Sequence, residues 1–298
     1  MIEPYLSGND FLADVRRFAS EQNGFRIWWL GQSGFLVQYR GSHLLFDPYL
    51  SDSLTKKYAG TDKPHVRLTR LVVSPGELDF IDVATSSHNH TDHLDAATLL
   101  PLKQANPDLR LIIPEANRNF VARRLGCDTS WPIGVCDGDE VDVGTFTIHG
   151  VPAAHEDLAT DAEGRHHFMG YIVCFGPHKI YHSGDTLLFD GMVDRLEPFR
   201  VDVALLPING RNATRRVAGN MSGLEAARLA LDIAAKMAIP CHYDMFAFNT
   251  APPDDFVRES EQIGQVYYVL QCGERWDSPD SISGPGGSKS RPPNGTLQ

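Results

Sequence analysis

No stretch constrains this chain more than Ser87-His88-Asn89-His90-Thr91-Asp92-His93-Leu94-Asp95. Three histidines and one aspartate fall within six consecutive positions, directly after Ile81-Asp82-Val83-Ala84-Thr85, a short run rich in strand formers. Beyond it, Ala96-Ala97-Thr98-Leu99-Leu100-Pro101 turns helical, with Asp95 at the N-cap position. The histidines are therefore expected on a strand-to-helix loop, where a rigid scaffold can aim them at one point. Neutral imidazole is a ligand for zinc, iron, nickel or manganese, and a carboxylate adds a charged oxygen. Four donors this close in sequence crowd one another around a single ion and suit two ions side by side. The competing explanation, a polar surface loop that merely contains histidine, does not account for so specific a pattern.

The surrounding chain alternates strands and helices. Helical spacing runs from Asp10 to Phe18, with Phe11, Leu12, Val15 and Phe18 on one face. Phe25 to Leu30, Gly34 to Tyr39 and Ser42 to Phe46 form a meander separated by glycine turns, and the third strand runs into Asp47-Pro48. Ser51 to Leu78 is mostly polar and is expected to be a long loop near the site mouth. Further strands are expected at Leu109 to Ile113, on either side of Gly144, at Met169 to Phe175, Lys179 to His182, Val201 to Pro207, Ala238 to Cys241 and Gln265 to Leu270. Helices are expected around Ala116 to Leu125, after the capping box Ser222-Gly223-Leu224-Glu225, and from Pro253 to Ile263. From about Ser278 the tail is Gly, Ser and Pro with little to bury. The domain expectation is a helical extension over 1–24, one domain over 25–275 and a disordered tail over 276–298.

Composition narrows the partners. A net charge of −11 with a pI near 5.5 argues against nucleic acid or an anionic membrane as partner. Five cysteines, odd in number and without a C-x-x-C pair, read as reduced thiols of a cytoplasmic protein. No apolar signal core follows Met1, and no run has the length to span a bilayer. A small-molecule substrate is the expected partner, and a homo-oligomer is compatible with all of this.

His88-x-His90-x-Asp92-His93 resembles the opening motif of the metallo-β-lactamase superfamily. Trp28-Trp29-Leu30-Gly31, Tyr181-His182-Ser183-Gly184-Asp185 and Ile239-Pro240-Cys241-His242-Tyr243-Asp244 extend the likeness, which is nearest to the L-ascorbate-6-phosphate lactonase type. Together the four stretches cover positions from about 25 to 270. The resemblance implies an α/β (α+β) fold, a four-layer αβ/βα sandwich with a metal site at one sheet edge. It also implies a ligand set in chain order. One ion takes His88, His90 and His155; the other takes Asp92, His93 and His242; Asp185 bridges them. Asp47 would orient a metal-bound histidine, and His182, on the opposite face of its strand from Asp185, would stay in the core or behind the ligands. At His155 the chain departs from the lactonase type, which carries an acidic residue there as we align it, and turns toward the general superfamily set.

These assignments predict a metal-dependent hydrolase with two divalent ions, zinc foremost and manganese second. Water held between two dications loses a proton near neutral pH and attacks, Asp92 and Asp185 being the catalytic carboxylates. No G-x-S-x-G elbow competes with that scheme. The resemblance suggests a lactone of a phosphorylated sugar acid as substrate. A phosphodiester, as in phospholipase D relatives of the fold, is the alternative, and a metal-containing sensor without turnover is the alternative of another class. Arg211, Arg215 and Arg216, on one loop of an acidic protein, are the expected contacts for an anionic substrate group.

Overall fold

In the computed structural model of the protein, residues 1–212, 215 and 219–279 are described. The glycine-bounded runs become β1 (Arg26–Gly31), β2 (Gly34–Tyr39) and β3 (Ser42–Phe46), an antiparallel meander. β1 and β2 are buried along their whole length, because both faces of their sheet are covered. Helix α1 (Gly8–Arg17) lays Phe11, Leu12 and Val15 into the core, and the Trp28 indole N–H donates to its Asp14 at 2.9 Å. The polar stretch after residue 51 is less irregular than its composition suggests. It contains α2 (Ser53–Tyr58), whose buried Leu54 packs in a small satellite cluster with Tyr49, Met245 and Phe246.

Parallel strands extend the first sheet: β4 (Val83–Thr85), β5 (Arg110–Pro114) and β6 (Ile133–Val135). Helices α3 (Ala96–Ala105) and α4 (Arg118–Leu125) lie in their crossovers, and the Asp95 carboxylate caps α3 by accepting from Ala97 N at 3.3 Å. A second meander follows in β7 (Glu140–Val143), β8 (Phe146–Pro152), β9 (Met169–Phe175) and β10 (His178–His182). It too continues in parallel, through α5 (Met192–Leu196), β11 (Val203–Pro207), α6 (Gly223–Asp232) and β12 (Met237–Cys241). Ser222 and Glu225 form the expected capping box of α6. After α7 (Asp254–Ile263), residues 265–270 make one bridge, Tyr267 with Ala238, rather than the expected strand. The strand that does form is β13 (Arg275–Asp277), which returns to the free side of β1 and straddles the expected domain boundary at 275. Most of the expected tail, residues 280–298, lies outside the described residues.

The result is two mixed sheets, ordered β13-β1-β2-β3-β4-β5-β6 and β12-β11-β10-β9-β8-β7. Aromatic contacts hold their inner faces together: Phe175 meets Phe25 at 5.2 Å and Tyr39 at 5.1 Å, and His182 stacks on Phe46 at 4.8 Å. Strand direction then decides where chemistry is placed. β1 and β3 both run antiparallel to β2, and β4 runs parallel to β3, so these three strands end at the same edge. By the same pairing logic β8, β10, β11 and β12 share a direction in the second sheet. Loops leaving these carboxyl ends carry Gln32, Asp47, the histidine cluster, His155, Asp185 and His242. Such an edge is where open sheets place their ligands.

Candidate metal centre

The histidine cluster leaves β4 as a compact turn stitched by Leu94 N to His90 O at 2.8 Å. Arg124 of α4 donates to the carbonyls of Asn89 and Leu94, near the two ends of that turn. Asp185 arrives from β10 through Gly184, whose φ of +60° suits glycine; a Cβ there would stand 2.6 Å from the Cβ of Ser87. Glycine thus allows the Asp185 turn to close against the histidine turn. His242 follows β12 directly and also has a left-handed backbone, φ +65°.

Asp185 lies between the other donors. Its Oδ2 is 3.4 Å from His93 Nε2, 3.4 Å from His242 Nε2 and 3.8 Å from His155 Nε2. Asp92 Oδ2 stands 3.6 Å from His93 Nε2 and 3.8 Å from His242 Nε2. Donors about 2.0–2.2 Å from a tetrahedral zinc are separated by roughly 3.3–3.6 Å, so these spacings fit one shared ion. On the other side, the ligating nitrogens of His88, His90 and His155 lie within 4.8 Å of one another. Among the described residues the fold gathers three groups of donors, His88 with His90 and His155, Asp92 with His93 and His242, and His88 with His93 and Asp185, the last linking the two triads expected from the sequence.

The orientation of the rings supports the same reading. His93 Nδ1 meets Asp47 Oδ2 at 2.7 Å, His88 Nδ1 meets Ser87 Oγ at 3.0 Å and His155 Nδ1 meets the Gly219 carbonyl at 3.0 Å. Each ring is held by Nδ1, leaving Nε2 for the centre. Nε2 of His88 and of His93 and Oδ1 of Asp185 are buried with no hydrogen-bond partner. Unpartnered buried polar atoms are costly unless something absent from the protein alone satisfies them. A divalent cation would do so, and the donor set fits one.

The electrostatics are those of a cation site. Burial opposes the charged form of Asp185, but the imidazoles of His93 and His242 outweigh it and hold the carboxyl well below the usual range. Burial likewise opposes a charge on His93, and Asp185 and Asp92 overcome it, raising the ring well above its ordinary value. His88 is pushed the other way, first by burial and then by His93 and His90. Positive charge is thus favoured where the carboxylates converge.

Asp47 sits where expected, behind His93. Its carboxylate also accepts from Thr85 Oγ1 at 2.9 Å, Ser87 N at 3.0 Å and Ser87 Oγ. His182 points into the core and donates to or accepts from no other residue of the centre; its Nε2 meets the Ser33 carbonyl at 2.9 Å. Arg211 is paired with Glu225 at 2.7 Å and packs against Gly219, where a Cβ would lie 2.3 Å from its own. It therefore neighbours the residue that holds His155. Arg215 is tied to the Asn209 and Thr250 carbonyls at 2.8 and 2.9 Å and to Asn249 Oδ1 at 3.1 Å, contacts that brace the loop. Arg216 lies outside the described residues.

Sequence reasoning passes over two neighbours of the centre. Phe168 places its ring 5.2 Å from His88 and 5.5 Å from His155, forming an apolar wall. Gln32, in the β1–β2 turn, has its amide nitrogen 2.8 Å from Asp92 Oδ2. The available signal was topological: Gly31-Gln32-Ser33-Gly34 follows a strand that ends at the same edge as β3 and β4.

Comparison with known proteins agrees with this geometry. Residues 43–243 match the family described as "Beta-lactamase superfamily domain". The chain is 30% identical to the UPF0173 metal-dependent hydrolase of Methanopyrus kandleri, over 85% of this chain and 99% of that protein. It is 28% identical to the UPF0173 metal-dependent hydrolase of Rubrobacter xylanophilus, over 86% and 97% of the two chains. Among solved structures, the metallo hydrolase Igni18 of Ignicoccus hospitalis superposes with a TM-score of 0.62 at 22% identity, covering 85% of this chain and 98% of its own, which shows the shared fold. By the family match over 43–243 and the likeness to the Methanopyrus kandleri protein, the chain belongs to the UPF0173 family of metal-dependent hydrolases in the metallo-β-lactamase superfamily.

Proposed function

We propose that the chain hydrolyses a small anionic ester at a two-ion centre, with a lactone of a phosphorylated sugar acid as the first substrate class. The observation that carries this reading is Asp185 Oδ2, which stands 3.4–3.8 Å from nitrogens belonging to both triads. One carboxylate that faces two sets of donors is what a pair of neighbouring ions requires. Zinc is the first candidate metal and manganese the second. Bound divalent ions would acidify water and polarise the oxygen of the attacked group.

The protein's own residues do the rest. Asp47 and Ser87 fix the tautomer and aim of His93, and the Gly219 carbonyl does the same for His155. Asp92, partly open to solvent, is the carboxylate through which a proton enters or leaves. Phe168 covers the His88 and His155 rings, while His90 stays open to solvent. Arg211 packs beside Gly219, whose carbonyl holds His155, and Glu225 holds Arg211 until an anionic substrate group competes for the guanidinium.

The test is turnover of a panel of lactones, phosphodiesters and thioesters by protein loaded with zinc or manganese. Phosphorylated lactones should turn over fastest, and Asp185→Asn should lower kcat/KM by ~10²-fold or more with the fold intact. Faster phosphodiester turnover would move the substrate class to the phospholipase D-like alternative. Turnover of nothing under either metal would favour the sensor.

A further inference from the structure

We propose that Gln32 is a ligand of this centre, its side-chain amide oxygen completing the half-site of Asp92, His93 and His242. The proposal rests on the two-ion reading above and deepens it, because it adds a donor that the superfamily motifs do not name.

Gln32 is held as a ligand would be. It occupies the turn between β1 and β2 with a left-handed backbone, φ +52°, and is 2% exposed. Two donors fix its carbonyl, the Trp29 indole N–H at 3.0 Å and the His242 backbone N–H at 2.9 Å. An off-rule backbone that is over-determined by its neighbours is the kind of feature found at functional sites. The side chain then reaches the centre, its amide nitrogen lying 2.8 Å from Asp92 Oδ2 and 3.0 Å from His242 Nε2. Those are hydrogen-bond distances, and they set the end of the amide directly against two donors of the half-site.

The pairing with His242 is incompatible with a loaded site. A cation takes the lone pair of Nε2, the same lone pair the Gln32 N–H occupies. His242 is also unlike the other rings, for its Nδ1 is buried without a partner whereas those of His88, His93 and His155 are engaged. The amide itself is half satisfied, with Oε1 buried and unpartnered. Turning the amide over about its last bond exchanges nitrogen and oxygen with almost no movement. Without a cation, oxygen facing the Asp92 carboxylate is repulsive and the N–H faces it instead. With a cation, oxygen faces the metal and His242 Nε2 is released to bind.

The donor chemistry has a direction. Asp92, Asp185 and Gln32 would supply three oxygens beside the nitrogens of His93 and His242, and oxygen-rich sites suit harder ions such as manganese better than zinc. The experiment is a stepwise titration of the metal-free protein with manganese(II), free ion being counted by its paramagnetic resonance, and with zinc(II) against a competing chelator. Gln32→Asn keeps the amide and tolerates the left-handed backbone but is too short to reach. It should weaken one equivalent tenfold or more, leave the other unchanged, and cost manganese more than zinc. Gln32→Glu, equal in length and oxygen-bearing, should restore that equivalent, and it also stands in if the Asn variant melts below the metal-free wild type. Wild-type affinities in a folded Asn variant, or a Glu variant that binds more weakly than Asn, would overturn the assignment to Gln32. Wild-type protein that binds neither ion would overturn the centre itself along with it.

Discussion

Single residues at the centre are constrained from behind as much as from in front. Gln32, Asp47 and His242 all have left-handed backbones, as does Glu156 beside His155, although none is glycine. Each such residue costs of order 1 kcal/mol or more, so this much cost at one sheet edge marks a place where position outweighs stability. Asp47 shows what is obtained in return. Burial alone would raise its pKa, but the His93 hydrogen bond, the nearby His182 and His93 rings and the Ser87 hydroxyl together outweigh that and hold the carboxyl below its usual range. The anion stays behind the imidazole and keeps Nε2 bare for the front. Asp47→Asn should therefore weaken metal binding by about 10–100-fold, the range typical of a partner behind a ligand, while His88 and His90 still hold one ion. Equilibrium dialysis against zinc checks this, and unchanged affinity would reduce Asp47 to a turn residue. The histidine cluster was legible because its donors are contiguous and histidine has few other reasons to repeat. Gln32 was not, since glutamine in a glycine-flanked turn is ordinary and its partners, Asp92 and His242, are remote in sequence.

At the scale of elements, the meander and the helices bearing apolar stripes or caps could be read, because burial and glycine punctuation leave a pattern. β6 and β13, three residues each and without a run of strand formers around them, leave none, and the strand formers of 265–270 were recruited to a single bridge instead. One inter-element contact has a measurable pH signature. In β3, His43 faces Gln38 of β2 with Nε2 2.8 Å from the amide nitrogen, which also donates to the Val15 carbonyl of α1 at 2.9 Å. The amide's other N–H can donate to His43 Nε2 only while that ring is neutral. Burial pushes the His43 pKa down to about 4, against 6.5 ordinarily. The unfolded chain thus takes up this proton first. The associated stability is complete above pH 6.5, is lost as pH falls to about 4, and amounts to at most about 3 kcal/mol. Urea titrations across that window should show the loss, and His43→Gln, which accepts at any pH, should flatten it. An equal slope in the variant would place the acid sensitivity elsewhere.

For the whole molecule, each half-site takes donors from both sheets: His88 and His90 from the first meet His155 from the second, and Asp92 and His93 meet His242. Ion binding therefore opposes separation of the sheets as well as unfolding of either one. At a free metal concentration of a thousand times Kd this linkage contributes about 4 kcal/mol, so a strong chelator should lower Tm by roughly ten degrees in a chain of this size. Scanning calorimetry with and without chelator reads it directly, and coincident transitions would mean that the ions stabilise nothing. Among the described residues, no helix is long and apolar enough to cross a membrane. The return of β13 to β1 bears on how the molecule is made. The first sheet is otherwise built from the first half of the chain, yet its outer strand is Arg275–Asp277. A ribosome releasing this protein therefore emits an open β1 edge long before the segment that closes it. Until then the nascent chain presents a ready template for strand pairing with another copy, and its exposure to misassembly is set by the time taken to translate the second half.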